Sequence, residues 1–85
     1  MTDRNEIEKI VIKNTAIICK KLPESLSMDT RFGEDLKFRS MQAVKLTMLL
    51  EDAVDIKLPM ARVLKNKTLK DAVDLVVELL ADAGR

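Results

Sequence analysis

Apolar residues recur along this chain at helical spacing. Ile7, Ile10, Val11, Ala16, Ile17 and Ile18 follow a period close to that of one helix face. Asp3, with Glu6 three residues later, supplies a start signal with aspartate as the cap, and Lys20-Lys21 before Pro23 suit the negative end of a helix dipole. Together they predict a first helix over about residues 4–21. A second helix is expected from Ser40 to about Val54. Met41, Val44, Met48 and then Asp52 or Ala53 trace one stripe on it, and Leu46, Leu49, Leu50 and Val54 widen the apolar girth, so it must touch more than one neighbour. Ile56, Leu58 and Pro59 end that helix, and residues 60–64 suit a short one with Pro59 near its start. Thr68 with Asp71 resembles another cap before the stripe Leu69, Ala72, Val73, Val76, Leu79 and Leu80, and Gly84 lies past its end. The expected fold is all-α: a small four-helix bundle of three longer helices and one short one, forming a single domain over residues 1–85.

Between the first two helices lies a long loop, residues 23–39. It carries Pro, Ser, Asp, Thr and Gly together with Leu26, Met28, Phe32, Leu36 and Phe38. Long ordered loops in small domains tend to be functional, and these apolar residues should pin the segment across the helix ends. The loop delivers the chain to Ser40. A hydroxyl at a helix start sits among unpaired backbone N–H groups at the positive end of the dipole. That suits a phosphate ester, and it equally suits a serine that only caps the helix. The residues alone leave both readings open.

Composition narrows the chemistry. The chain has 85 residues, 47% apolar and 34% charged, which excludes gross disorder. Its only aromatic residues are Phe32 and Phe38, so Leu, Ile, Val, Met and Ala must build the core. Histidine is absent and Cys19 is the sole cysteine. No Ser-His-Asp or Cys-His engine, internal disulfide or zinc cluster with His or multiple Cys ligands can be made from this chain, and no metal site is expected. Cys19 reads as a small hydrophobe on the first helix. The polar start Met1-Thr2-Asp3-Arg4-Asn5-Glu6 lacks the apolar centre of a secretory signal, and no apolar run approaches the ~20 residues of a membrane span. Cytoplasmic residence without a membrane span is therefore expected. The net charge of +1 hides a segregation. Residues 1–36 hold six basic and seven acidic groups, residues 37–70 eight and three, and residues 71–85 one and four. The +5 centre has no recognisable nucleic-acid reading motif, so no nucleic-acid partner is expected.

Taken in order, Phe32-Gly33-Glu34-Asp35-Leu36, three residues, Ser40-Met41, then Val44, Leu46, Met48, Leu50-Glu51-Asp52, Val54-Asp55-Ile56-Lys57-Leu58-Pro59 and Thr68-Leu69-Lys70-Asp71-Ala72-Val73-Asp74-Leu75 resemble an acyl carrier protein over nearly the whole chain. The resemblance implies a carrier, not an enzyme. Its serine, here Ser40, receives a covalent 4′-phosphopantetheine arm from a phosphopantetheinyl transferase. The terminal thiol holds acyl groups as thioesters for acyl-loading, acyl-modifying and acyl-transfer enzymes of lipid, fatty acid or secondary metabolism. Lys37, Arg39 and Met41 flank the attachment point. In such families the acyl tail can retreat between the second and third helices, and by position Leu46, Leu50, Val54, Leu58, Val63, Leu69 and Val73 are candidates for that pocket. A monomer is expected.

Two departures stand out. Arg39-Ser40-Met41 replaces the usual Asp-Ser-Leu, which reverses a charge where transferases commonly read the carrier. Along the second helix, where the family presents acidic groups to basic enzyme patches, Gln42 and Lys45 fall at such positions. Glu51, Asp52 and Asp55 remain acidic, while Lys65 and Lys67 extend the basic character. Arg39, Gln42, Lys45, Glu51 and Asp52 are the candidate docking residues, and the charge pattern suggests dedicated partners with acidic faces. The alternative is a carrier-like fold without the prosthetic group, acting as a scaffold or regulatory binding module.

Overall fold

Side-chain caps and left-handed turns set the helix ends. In the computed structural model, which describes residues 3–84, helix α1 (Arg4–Cys19) begins where Asp3 Oδ1 accepts the Glu6 N–H at 2.9 Å. Met1 and Thr2, part of the polar start read above, lie outside the described residues, as does Arg85. The helix stops short of the expected residue 21. Lys20 turns left-handed at φ 57°, and the N–H groups of Lys20 and Lys21 both close on the Ala16 carbonyl. The two lysines thus follow the last turn instead of forming it. A left-handed non-glycine residue costs ~1–2 kcal/mol, which the two carbonyl bonds offset.

After a 3₁₀ turn at Pro23–Ser25, the long loop runs to α2 (Ser40–Val54), followed by the short α3 (Met60–Val63) and by α4 (Leu69–Asp82). Ile7 and Val11 on α1 and Leu69, Val73 and Val76 on α4 are almost completely buried, each burial favouring the fold by ~1.5–3 kcal/mol. Leu26, Phe32 and Leu36 bury the loop against the same cluster. Backbone bonds stitch the loop to the start of α4. The Phe32 N–H reaches the Lys67 carbonyl at 2.9 Å, Leu69 N–H the Thr30 carbonyl at 3.0 Å and Lys70 N–H the Met28 carbonyl at 3.0 Å. The Thr68/Asp71 signal is realised as a reciprocal cap: Thr68 Oγ1 accepts from Asp71 N–H at 3.2 Å and Asp71 Oδ2 from Thr68 N–H at 3.2 Å.

α1 packs against both α2 and α4, and α3 bridges α2 and α4, while α2 and α4 themselves make no close backbone approach. Ion pairs brace the frame: Arg4 to Asp74 at 2.6 Å between α1 and α4, and Arg62 to Glu78 between α3 and α4. The inner face of α2 is Leu46, Thr47 and Leu50. The expected stripe Met41, Val44, Met48 faces outward instead, because the helix can turn only one side to α1 and the bundle interior.

Candidate functional site

The start of α2 differs from the starts of its neighbours. On α4 the first three amides are satisfied: Leu69 and Lys70 donate to loop carbonyls and Asp71 to the Thr68 hydroxyl. On α2 the position before the helix is Arg39, whose side chain has donors and no acceptor. Gln42 Oε1 reaches back to accept the Arg39 N–H at 2.8 Å. Among the described residues no oxygen accepts from the amides of Ser40, Met41 or Gln42, and the first bonded amide is Ala43, to the Arg39 carbonyl at 3.0 Å. Ser40 is itself the first helical residue, so its hydroxyl is not the cap that one sequence reading allowed. It is exposed, at the positive end of a 15-residue helix.

The preceding loop holds this point in place. Arg31 donates its N–H to Asp35 Oδ2 at 2.8 Å, and the Arg31 carbonyl accepts from Asp35 and Leu36. Lys37 then reverses the chain with φ 56°. Phe38 follows, its N–H bonded to the Phe32 carbonyl at 2.9 Å and its ring tilted against Phe32 with centroids 5.0 Å apart. A turn closed by the half-buried Phe38, packed on the buried Phe32, fixes where Arg39 and Ser40 emerge.

Behind Ser40, where α2 and α4 stand apart, lies a cavity of about 260 Å³. Arg39, Ser40, Phe32 and Phe38 form part of its wall, so the space meets solvent beside the hydroxyl. Its remaining lining is largely apolar: Ala43, Leu46 and Leu50 from α2, Leu58 and Val63 from the connection and α3, and Ala72, Leu75 and Val76 from α4, with Thr47 and Asn66 as polar members. The volume is near the lower end for ligand pockets, ~300–1,000 Å³, and suits a slender apolar chain.

Of the pocket residues expected from sequence, Leu46, Leu50, Leu58 and Val63 line this cavity and Val54, Leu69 and Val73 do not. Leu69 and Val73 are fully buried in the central cluster, and Val54 packs half-buried against it. The α4 wall is Ala72, Leu75 and Val76, reached by rotating about one residue, ~100°, around the helix. Both α4 stripes obey helical spacing, so the sequence offered no means of choosing. Phe32, Phe38, Ala43 and Thr47 were also missed, and Ala43 and Thr47 carry the same i, i+4 signal as Leu46 and Leu50.

Among the flanking and docking candidates, Lys37, Arg39, Met41, Lys45 and Asp52 are exposed. Gln42 is partly buried and engaged with the Arg39 N–H. Glu51 is turned inward: its Oε2 accepts the Leu58 N–H at 2.7 Å and so secures the segment that brings Leu58 to the cavity. Cys19, half-buried on α1, has its thiol pKa raised by burial, partly opposed by Lys21. Among the described residues no helix is long and apolar enough to cross a membrane.

Free helix amides, an exposed hydroxyl, adjacent cations and an apolar recess fit a phosphodiester-linked group bearing an apolar load. Comparison with known proteins agrees. Residues 15–76 match the family described as "Phosphopantetheine attachment site". The chain is 33% identical over 78 residues to the acyl carrier protein of Rickettsia canadensis (strain McKiel), covering 92% of this chain and 91% of that one. The acyl carrier proteins of Rickettsia rickettsii (strain Iowa) and Rickettsia typhi (strain Wilmington) match with the same identity and coverage. With the helical bundle and a serine at an open helix start already in view, these matches place the chain in the acyl carrier protein family, as a carrier and not an enzyme, with covalent 4′-phosphopantetheine as its prosthetic group.

Proposed function

We propose that Ser40 is the attachment residue and that the whole chain works as one monomeric, cytoplasmic carrier domain for dedicated enzymes of lipid or secondary metabolism. The observation behind this reading is the exposed Ser40 hydroxyl at the one long helix whose first three amides have no acceptor among the described residues. The attached group supplies a terminal thiol on which an acyl unit rides as a thioester. The protein's own contribution is placement. The amides of Ser40, Met41 and Gln42 and the dipole of α2 favour the negative charge of a phosphodiester, and Arg39 and Lys37 add positive charge beside it. The apolar walls from Leu46, Leu50, Leu58, Val63, Ala72, Leu75 and Val76 offer an acyl tail shelter from water, a gain of up to ~0.8 kcal/mol per buried methylene. Phosphopantetheinyl transferase and acyl-handling enzymes are the partners this role requires.

Coexpression with a phosphopantetheinyl transferase, followed by intact-mass measurement, tests the assignment. The wild-type chain should gain one phosphopantetheinyl unit and Ser40→Ala none. A wild-type chain that stays bare in its native cell would instead favour the scaffold reading, and a gain retained in Ser40→Ala would move the attachment elsewhere.

A further inference from the structure

We propose that Thr47 lets the cavity shelter acyl chains bearing a hydroxyl far from the thioester, a cargo that a wholly apolar recess would exclude. This rests on the carrier reading and names the class of cargo. A wall built only for hydrocarbon needs no polar member, yet Thr47 lines the cavity and is 3% exposed. Valine has nearly the same shape and would suit a plain chain as well. The Thr47 hydroxyl donates to the Ala43 carbonyl at 2.7 Å. That bond uses its one proton and leaves the oxygen with lone pairs only. No donor among the described residues takes them up. Thr47 is therefore a fixed acceptor on the wall that Ala43, Leu46 and Leu50 otherwise make apolar.

Depth decides which part of a cargo it meets. The cavity opens beside Ser40, and Thr47 stands seven residues farther along α2, ~10 Å down the axis. A chain tethered by its head enters tail first, so the carbons that reach Thr47 are remote from the thioester. A hydroxyl placed there against Leu46, Leu50 and Leu58 alone would give up water and find no acceptor. Thr47 removes that penalty. A plain chain forfeits little at Thr47, whose proton is already placed, so the residue widens the cargo range without rejecting hydrocarbon. Asn66 lines the same cavity and is half-buried, with no hydrogen bond from its side chain among the described residues. Its amide adds unengaged donors that the oxygen of such a hydroxyl can accept.

The test loads the chain by a phosphopantetheinyl transferase from octanoyl-, β-hydroxyoctanoyl-, ω-hydroxyhexanoyl- and ω-hydroxyoctanoyl-coenzyme A. Hydroxylamine then cleaves each thioester, and intact mass follows the rate. Each rate is divided by that of the same acyl group on free pantetheine. In the wild-type chain octanoyl and at least one ω-hydroxyacyl group should be sheltered to within about threefold of each other. Thr47→Val should leave octanoyl within about twofold and speed cleavage of that ω-hydroxyacyl group about tenfold, because its buried hydroxyl loses the acceptor. Thr47→Ser keeps the oxygen and should hold the wild-type rates within about twofold. The β-hydroxyacyl group, whose hydroxyl lies near the thioester, should respond to Thr47→Val no more than octanoyl does. The proposal is overturned if Thr47→Val affects octanoyl and both ω-hydroxyacyl groups alike, or if only the β-hydroxyacyl group responds. It is also overturned if the wild-type chain protects octanoyl and leaves both ω-hydroxyacyl groups unsheltered. A wild-type chain that accepts no acyl arm at all fails earlier, at the carrier reading, and takes this proposal with it.

Discussion

Replacing Glu51 with alanine should destabilise the fold and loosen the cavity wall, although Glu51 sits on a helix side that a charge pattern alone would assign to partners. Its Oε2 accepts the Leu58 N–H at 2.7 Å, in a partly buried position. Hydrogen bonds to charged groups contribute ~1.5–3 kcal/mol. Against this, a carboxylate in the last turn of a helix opposes the dipole by ~0.3–1 kcal/mol, a penalty that alanine relieves. The net loss is about 1–2 kcal/mol. For a domain of this size 1 kcal/mol shifts the melting temperature by ~4–8 °C, so Glu51→Ala should melt roughly 4–16 °C lower. Glu51→Gln keeps a neutral acceptor and should lose about half as much. Because Leu58 is 6% exposed and lines the cavity, its amide should also lose protection in hydrogen exchange. Thermal melts followed by circular dichroism and amide exchange at Leu58 measure both effects. If the alanine variant melts as the wild type does and the Leu58 amide stays protected, Glu51 is a free surface carboxylate and the account of this wall is wrong.

Thr15 is fully buried on α1, and its hydroxyl has no hydrogen-bond partner among the described residues. Thr15→Val should therefore raise stability by about 1 kcal/mol in denaturant titration, and a loss would reveal a partner for the hydroxyl. Lys37 adopts φ 56°, so Lys37→Gly should be neutral to stabilising by up to ~1 kcal/mol, relief of the left-handed strain exceeding glycine's added chain entropy; Lys37→Ala, which keeps the strain, should gain nothing in the same titration. The Cys19 thiol is pushed above its ordinary pKa by burial, which leaves less thiolate at neutral pH. Reaction with a chromogenic disulfide should be slow for the bare chain and gain one fast phase once the arm is attached; a fast phase in the bare chain would contradict the burial argument.

The four helices and the loop were legible because each depends on local rules. Caps at Asp3 and Thr68 and prolines at turns act within a few residues, whereas the left-handed turn at Lys20 that ends α1 before the expected residue 21 left no mark in the pattern. Ser40 was legible for the same reason, since any residue opening a helix inherits its free amides. What escaped is what depends on the neighbours of a helix. The period of α2 admits two apolar stripes, and only packing against α1 selects Leu46 and Leu50 for the interior and leaves Met41, Val44 and Met48 outside. On α4 the same ambiguity exchanged Leu69 and Val73 for Ala72 and Leu75 at the cavity. Glu51 escaped because its partner is a backbone N–H seven residues away, across the end of its helix.

These features converge on α2, which faces three environments at once. Its first turn meets water with unpaired amides, its inner side meets a space that α4 does not fill, and its outer side presents methionines to solvent. An isolated helix could not hold that division, because a helix apolar on both sides turns to bury both. Here α1 takes part of the inner side, and α3 with the Glu51–Leu58 contact keeps α4 at a distance. The most deeply buried apolar side chains lie on α1 and α4, in Ile7, Val11, Leu69, Val73 and Val76, while α2 adds only Leu46 and Leu50 from its inner face. That arrangement lets α2 keep an open recess and an exposed stripe without unfolding. Substitutions on the outer face should accordingly separate from folding: Met48→Ser and Lys45→Glu should leave the melting temperature in place, whereas truncation of Val11 or Val73 to alanine should lower it by at least ~2 kcal/mol equivalent. If outer-face variants melted as early as those core variants, α2 would be part of the stabilising frame, and its freedom to serve partners would have to be abandoned.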